Sequence, residues 1–182
     1  GADIRNEQIY SNVLGVKMKE PHSVPFEKNQ KFTFEDSRLI SNIFLDHSLK
    51  AKKWTLSGGV ALNHVRQFGT HANGGCDIVY EFTKKARIYA SANSAVRLPT
   101  FTDLYYKGPQ QAANPDLQPE KSTTFELGTK ISTNRLIVSG TAYYRIGKNV
   151  IDWVKRDTTD KKYVSLNLTN VNAIGTDIST EY

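Results

Sequence analysis

The chain has 182 residues, enough for one ordinary domain; 38% are apolar, 10% are aromatic, and the formal net charge is +6. No run approaches the roughly 18 consecutive apolar residues of a membrane-spanning helix, so a bundle of such helices is excluded. Nine tyrosines and eight phenylalanines are too many for a disordered chain. A transmembrane β-barrel remains compatible with this composition, because only alternate residues of its strands face lipid.

Apolar and polar residues alternate with a period of two along much of the chain, which predicts β-strands with two unlike faces. The predicted strands cover residues 4–14, 38–49, 54–63, 77–82, 87–97, 125–131, 136–145 and 163–182. In the second strand, Leu39 and Ile43 lie on one face, and Arg38 and Asn42 lie on the other. The pattern therefore predicts an all-β fold, an antiparallel up-and-down meander of about eight strands without an internal domain boundary.

The connections between these strands are predicted to alternate in length. Long connections cover 15–36 and 98–121, medium ones 68–75 and 156–162, and short ones 50–53, 83–85 and 132–134. Because alternate connections of a meander lie at opposite ends, one end should carry tight turns and the other end longer loops. Outer-membrane barrels show this asymmetry.

Residues that could carry out catalysis or bind a metal do not form a recognisable constellation. A single cysteine, Cys76, excludes an internal disulfide framework and a multi-cysteine metal site. The four histidines (His22, His47, His64 and His71) have no ligand spacing, and no pair of carboxylates has a spacing that demands acid/base catalysis. We expect no catalytic residue, no metal, no cofactor and no enzymatic activity.

Lysines cluster in two of the predicted short turns. Lys50, Lys52 and Lys53 share one turn, and Lys84 and Lys85 share another. These clusters can be solvated turn residues, or they can attract anionic lipid headgroups on one side of a membrane. Nucleic acid is not an expected partner, because the basic residues do not gather on one helix and acidic residues are interspersed.

The segment 97–128 carries the most specific motif of the chain. It contains Arg-Leu-Pro-Thr at 97–100, Asp-Leu-Tyr at 103–105, Asn-Pro-Asp-Leu-Gln-Pro-Glu-Lys-Ser at 114–122 and Glu-Leu-Gly at 126–128. This pattern resembles that of the TonB-dependent outer-membrane transporters, and among them the cobalamin and siderophore receptors. One departure is Ala113, where many relatives have glycine. The motif positions expected to be structural are Pro99, Asn114, Pro115, Leu117, Pro119, Glu120, Glu126 and Gly128.

The residue types of this segment permit two roles. Its prolines fix φ and remove backbone donors, so the segment should not extend the sheet, and Glu120 should cap local backbone N–H groups or pair with Arg97. Both features favour a rigid scaffold. In the other role, Phe101, Tyr105 and Tyr106 would offer flat surfaces to a bulky ligand, and Arg97 would hold an anion.

The resemblance implies that residues 1–182 are a single segment of a barrel of about 22 strands around a plugged lumen. The chain begins with glycine and has no signal peptide, so we expect an excised segment, with the plug and the remaining barrel strands absent. The implied function is energised uptake of a scarce large solute, such as a siderophore or cobalamin, across the outer membrane of a Gram-negative cell. The implied partners are outer-membrane lipid, the transported ligand, and the TonB complex acting through a part of the parent protein outside this chain.

Two other functions remain open from the sequence. One is a soluble all-β binding module, for example for carbohydrate, and the other is a small closed outer-membrane barrel. In a barrel segment, the strands near 4–14 and 164–182 would have unpaired edges. Such edges pair with something. We therefore expect the isolated segment either to close its first strand onto its last strand or to self-associate.

Overall fold

Ten β-strands and one short helix form the fold in the computed structural model, which describes residues 1–27 and 29–182. The strands are β1 (Ala2–Ser11), β2 (Val16–Ser23), β3 (Lys31–Ala51), β4 (Trp54–Val65), β5 (Gly69–Thr83), β6 (Ala86–Arg97), β7 (Gln111–Ala112), β8 (Glu120–Ser132), β9 (Ile137–Val154) and β10 (Tyr163–Glu181). The helix, α1, covers Phe101–Tyr105. Within the described residues, no helix has the length and hydropathy needed to cross a membrane.

Eight long strands form the predicted antiparallel meander, in the order β1-β3-β4-β5-β6-β8-β9-β10. The predicted fold class is therefore confirmed, but the count of about eight strands is wrong, because β2 and β7 lie in the predicted connections 15–36 and 98–121. β2 pairs with the first residues of β3, and its sequence KMKEPHS after Val16 is too polar to show an apolar face. β7 is two residues long and pairs in parallel with the start of β10, so alternation could not reveal it. The expectation that the proline-containing segment would not extend the sheet is therefore wrong at Gln111–Ala112, which lies between Pro109 and Pro115.

The predicted connection 68–75 is wrong. β4 ends at Val65 and β5 begins at Gly69, so only three residues join them. Glycines at positions 69, 74 and 75 fall within that predicted connection, but they lie inside β5. A Cβ on Gly75 would overlap the side chain of Asn93, its partner on β6, so this glycine provides room within the sheet.

The register of the sheet separates two unlike faces. One row of directly paired residues crosses seven strands and consists of Leu49, Leu56, Ile78, Ala90, Leu127, Ala142 and Thr176. The adjacent row, one residue away on every strand, consists of Ser48, Ser57, Asp77, Ser91, Glu126, Tyr143 and Gly175. We call the face of the first row the outer face and the face of the second row the inner face.

The apolar side chains of the outer face have no protein layer above them. Leu45 is 71% exposed, Val60 64% and Ile178 82%. All ten strands of the described residues belong to one sheet, so the chain is not a two-layer sandwich. A contiguous apolar face of this kind is typical of a surface that contacts lipid or another protein.

The sheet is open at both edges. β1 pairs only with β3, and β10 pairs with β9 and with the two residues of β7. Among the described residues, β1 and β10 are not neighbours, so the structure does not contain the predicted closure of the first strand onto the last. Self-association through these edges remains a prediction.

Aromatic rings cover glycines on the inner face. Tyr89 lies opposite Gly128, and its hydroxyl is 2.6 Å from Oγ1 of Thr141 on the following strand. A Cβ on Gly128 would overlap the Tyr89 ring. Tyr143 covers Gly175 in the same way. An aromatic side chain laid over a glycine replaces the packing that the glycine lacks and fixes the register of neighbouring strands.

We expect Gly128→Ala to destabilise the intact protein by about 1–3 kcal/mol, the usual range for overpacking. The new Cβ would displace the Tyr89 ring and break its hydrogen bond to Thr141. Gly140→Ala is the matched control, because a Cβ there meets nothing within 4 Å. The free energy of unfolding, measured by urea titration, separates the two variants, and equal values would contradict the role assigned to Tyr89.

Candidate functional site

The loop between β6 and β8, residues 98–119, holds most of the sequence motif, and we call it the motif loop. It begins with α1, whose N-terminus has a reciprocal cap. The Asp103 N–H donates to Thr100 Oγ1 at 3.1 Å, and the Thr100 N–H donates to Asp103 Oδ2 at 3.0 Å. The sequence analysis missed this helix, although Thr followed three residues later by an acidic residue is a recognised signal for a helix start.

Glu120 occupies the centre of the polar contacts at the base of the motif loop. Its carboxylate accepts two hydrogen bonds from Arg97, at 2.7 and 2.6 Å, and one from the Ile151 N–H at 2.5 Å. The Glu120 side chain is only 10% exposed, whereas that of Arg97 is 48% exposed. Bidentate pairing of this kind fixes geometry as well as charge. The pairing with Arg97 that the sequence suggested is present, but the backbone N–H that Glu120 accepts from is that of Ile151 on β9 and not one of its own loop.

Asp103 connects α1 to β9 and to the far part of the motif loop. Its carboxylate accepts from Trp153 Nε1 at 3.3 Å and lies 3.7 Å from Arg97 Nη1. Its backbone carbonyl accepts from the Asn114 N–H at 3.1 Å. Asp103 is 8% exposed, so its charge is held inside the protein by these partners. Its sequence position alone gives no sign of the contact with Trp153.

A small apolar cluster lies beneath the motif loop. Leu104, Leu117 and Ile151 are buried, and Phe68 and Tyr105 pack against them. Burying an aliphatic side chain contributes about 1.5–3 kcal/mol. The cluster therefore holds the motif loop against β9 in the absence of a second sheet.

Side chains of β3 hold the other side of α1. Arg38 donates to the Pro99 carbonyl at 2.7 Å and to Glu7 at 2.6 Å, and its guanidinium carbon lies 4.8 Å from the centre of the Phe101 ring. The Tyr105 hydroxyl donates to Asp36 Oδ2 at 2.7 Å.

Burial, followed by the hydrogen bond to Asp36, raises the pKa of the Tyr105 phenol to about 12. Tyr105 therefore remains a protonated donor throughout the physiological pH range.

The remaining motif residues also lie in structural positions. Pro99, Leu117 and Pro119 are buried. Asn114 accepts from the Asp116 N–H at 3.0 Å and so closes a turn around the exposed Pro115.

The last two motif residues lie on the inner face of β8. Glu126 faces Ser91 and Tyr143 across the sheet, and Gly128 lies under Tyr89.

Asn167 of β10 is a further structural residue that the sequence did not mark. Its amide donates to the carbonyls of Gln118 and Asn149, both at 2.8 Å, and its oxygen accepts from the Gln118 N–H at 2.8 Å. These bonds attach the end of the motif loop to β9 and β10.

The four residues considered for ligand contact are not equivalent. Arg97 is paired with Glu120, Phe101 lies under Arg38, and Tyr105 is bonded to Asp36. Tyr106 is half-buried and lies beside Gly108, and its hydroxyl makes no hydrogen bond within the described residues. In this part of the chain the Tyr106 hydroxyl is therefore unbonded, whereas Arg97, 48% exposed, is held by Glu120 through two of its three nitrogens.

A polar cavity of about 300 Å³ lies on the inner face, next to the base of the motif loop. Its lining includes Arg5, Arg38, Asn42, Asn63, His71, Asn73 and Arg97. Asn42 Oδ1, His71 Nε2 and Asn73 Oδ1 are buried and make no hydrogen bond within the described residues. Sequence reasoning placed Asn42 on the polar face of its strand, but it did not bring these three residues together.

The comparisons with known proteins agree with this architecture. The family described as TonB dependent receptor-like, beta-barrel matches residues 5–179. A vitamin B12 transporter, BtuB of Photobacterium profundum, is 23% identical over 150 residues, which cover 81% of this chain and 24% of that protein.

Solved structures show the same fold at low identity. A mutant of the ferric enterobactin receptor PfeA from Pseudomonas aeruginosa matches with a TM-score of 0.69 and 17% identity, covering 97% of this chain and 29% of its own. The siderophore receptor PirA from Pseudomonas aeruginosa matches with a TM-score of 0.65 and 17% identity, over 80% of this chain and 31% of its own. The copper transporter OprC matches with a TM-score of 0.66 and 17% identity, over 79% of this chain and 26% of its own.

The chain thus spans about a quarter of the length of the curated relative it matches. The family match covers nearly all of the sequence, and it coincides with a meander whose two faces differ in polarity. The expected resemblance is confirmed: the chain belongs to the TonB-dependent receptor family, in the region of its β-barrel.

Proposed function

We propose that this chain is a wall segment of a Gram-negative outer-membrane transporter that takes up a scarce large solute with energy supplied through TonB. The observation that carries this proposal is the pair of adjacent register rows, apolar on the outer face and polar on the inner face. The outer face would contact lipid, and the inner face would line the lumen. The family match across residues 5–179 supports the same assignment.

The open edges of the sheet support the inference that the parent protein contains further strands. β1 and β10 each present unpaired backbone groups, which must be satisfied inside a bilayer. In the intact wall, further strands would pair with both edges. TonB would act on a part of the parent protein outside residues 1–182.

The relatives of this chain suggest the class of solute that we propose. The relatives include a vitamin B12 transporter, a ferric enterobactin receptor and a copper transporter. We infer a siderophore or cobalamin, because both are bulky and the half-buried aromatic Tyr106 offers area to a bulky molecule. The polar cavity with its three unbonded buried atoms would provide hydrogen bonds on the lumen side.

The full-length receptor should bind one of two bulky probes, ferric enterobactin or cyanocobalamin, in a direct calorimetric titration, with Cu²⁺ as the small-ion comparison. Cells that express it should accumulate the same radiolabelled probe, and accumulation should stop when TonB is deleted. Uptake that persists without TonB would contradict the proposal, and so would the absence of binding to any bulky probe.

We propose that the motif loop is mainly a scaffold, held by Glu120. Glu120→Gln should weaken the bidentate pair with Arg97 and cost about 1.5–3 kcal/mol, the usual value of hydrogen bonds to a charged group. A loosened motif loop should be cut faster by trypsin at the exposed Lys107 in the folded receptor. Glu126→Gln, on the inner face of the same strand, is the matched control. Identical cleavage rates in the two variants would refute the scaffold role.

We propose Tyr106 as the ligand-contacting residue of the motif loop. Tyr106→Ala should lower the affinity of the full-length receptor for its probe by about fivefold or more, the loss expected for a buried interface aromatic. Tyr105→Phe is the control, since it keeps the ring and removes only the hydrogen bond to Asp36. Unchanged affinity of Tyr106→Ala would leave the motif loop with its scaffold role alone.

A further inference from the structure

The positive charge of the chain is concentrated at one end of the sheet. We define the tight-turn rim as residues 50–54, 81–87, 130–137 and Glu181, which surround the three hairpin turns opposite the motif loop. Eight of the chain's 24 basic residues and two of its 18 acidic residues lie there, which leaves 16 of each sign elsewhere. The whole net charge of +6 therefore resides on the tight-turn rim. Its basic residues are Lys50, Lys52, Lys53, Lys84, Lys85, Arg87, Lys130 and Arg135.

The three turns are connected to one another as a continuous edge. Lys53 accepts at its carbonyl from the Glu81 N–H at 2.8 Å, and its Nζ donates to the Phe82 carbonyl at 3.1 Å. Lys85 accepts from the Ser132 N–H at 2.7 Å, and its Nζ donates to Asn134 Oδ1 at 3.0 Å. The lysines are therefore held side by side along one edge.

The charges of the tight-turn rim are only partly neutralised inside the chain. In the described residues, the only ion pair at the rim joins Lys50 to Glu81 at 3.4 Å, and the Lys50 side chain is 63% exposed. On the inner face, Arg87 lies between Glu81 and Lys130 as direct cross-strand partners, so Glu81 offsets part of the contact between the two cations. The turn lysines Lys52, Lys53, Lys84 and Lys85 are exposed and make no ion pair within the described residues.

An aromatic cluster marks the membrane depth of this edge. Trp54, Tyr80 and Phe82 lie on the outer face next to the turns, with ring centres 4.6 Å apart for Trp54 and Tyr80 and 4.9 Å apart for Tyr80 and Phe82. Trp54 is 49% exposed and Phe82 51%. Aromatic side chains of membrane proteins concentrate at the level of the lipid headgroups. The lysines beside them are thus at the depth of the headgroup phosphates, which flexible lysine side chains can reach.

We propose that the tight-turn rim binds the phosphate groups of anionic phospholipids in the leaflet that faces the periplasm. This inference rests on the proposed function, because it requires the outer face to be in a membrane. Lipid is favoured over an acidic protein because the cations adjoin an aromatic cluster that continues into the apolar outer face. Near an anionic membrane surface, each lysine strengthens binding by about fivefold.

The test uses the full-length receptor in nanodiscs that contain phosphatidylcholine and phosphatidylglycerol. Native mass spectrometry after partial delipidation measures the phosphatidylglycerol retained relative to phosphatidylcholine. The rim variant is K52Q/K53Q/K84Q/K85Q. The control K17Q/K19Q/K107Q/K161Q removes four exposed lysines outside the rim, with the same change of net charge. We expect the relative retention to fall about tenfold or more in the rim variant and to stay unchanged in the control.

Three results would overturn the inference: unchanged retention in the rim variant, an equal fall in both variants, or full displacement of phosphatidylglycerol by inorganic phosphate. The second would indicate net charge alone, and the third a site for free anions. If the rim variant fails to fold, K52R/K53R/K84R/K85R must retain the lipid for the inference to stand. Probe binding and TonB-dependent uptake, measured on the same samples, show separately whether the proposed function holds.

Discussion

Backbone hydrogen bonding is the constraint on which the other features of this sheet depend. Hydrocarbon offers no partner to an N–H or C=O group, so every strand that meets lipid must be paired along its length. Pairing fixes the register, and a slip of one residue would exchange the faces of a strand. Leu56 and Ser57 show the consequence: Leu56 lies in a seven-strand row that is apolar except for Thr176, and Ser57 lies in an adjacent row that carries most of the polar side chains. In the proposed transporter, lipid would cover the outer face, so the sheet would need no second protein layer.

Side-chain contacts hold the end of the sheet at the motif loop, where strand pairing stops. The motif loop contains prolines and joins the ladder only through the two residues of β7, so side chains take over most of the role of backbone bonds. Glu120 joins three strands at one point, because it begins β8, pairs with the last residue of β6 and accepts from the backbone of β9. A buried carboxylate is costly unless it is fully paired, so these contacts depend on one another. The apolar cluster of Leu104, Leu117 and Ile151 then holds the motif loop against β9.

Local patterns in the sequence predicted most of the fold, but they did not predict contacts between residues that are far apart in the chain. The eight long strands followed from alternation, which is a property of each strand alone. β7 did not, because two residues carry no period, and Gly75 was misread because its role depends on Asn93 of the next strand. In the site, Glu120 and Arg97 could be paired from the sequence because they flank one loop. The contacts of Asp103 with Trp153 and of Arg38 with Phe101 join distant segments, and nothing in a single sequence brings these residues together.

Charged residues are paired at one end of the sheet and mostly exposed at the other end. At the motif loop, Arg97 and Arg38 face Glu120 and Glu7 at hydrogen-bond distance, so the charges cancel within the protein. At the tight-turn rim, cations outnumber acids and are mostly exposed, so salt and external anions determine their energy. In the proposed transporter, a solute at the loop end would meet a fixed shape in which Arg97 and Arg38 are already paired and the Tyr106 hydroxyl is unbonded within the described residues. The rim, by contrast, would be stabilised by an anion beside it, which is the role proposed above for phospholipid.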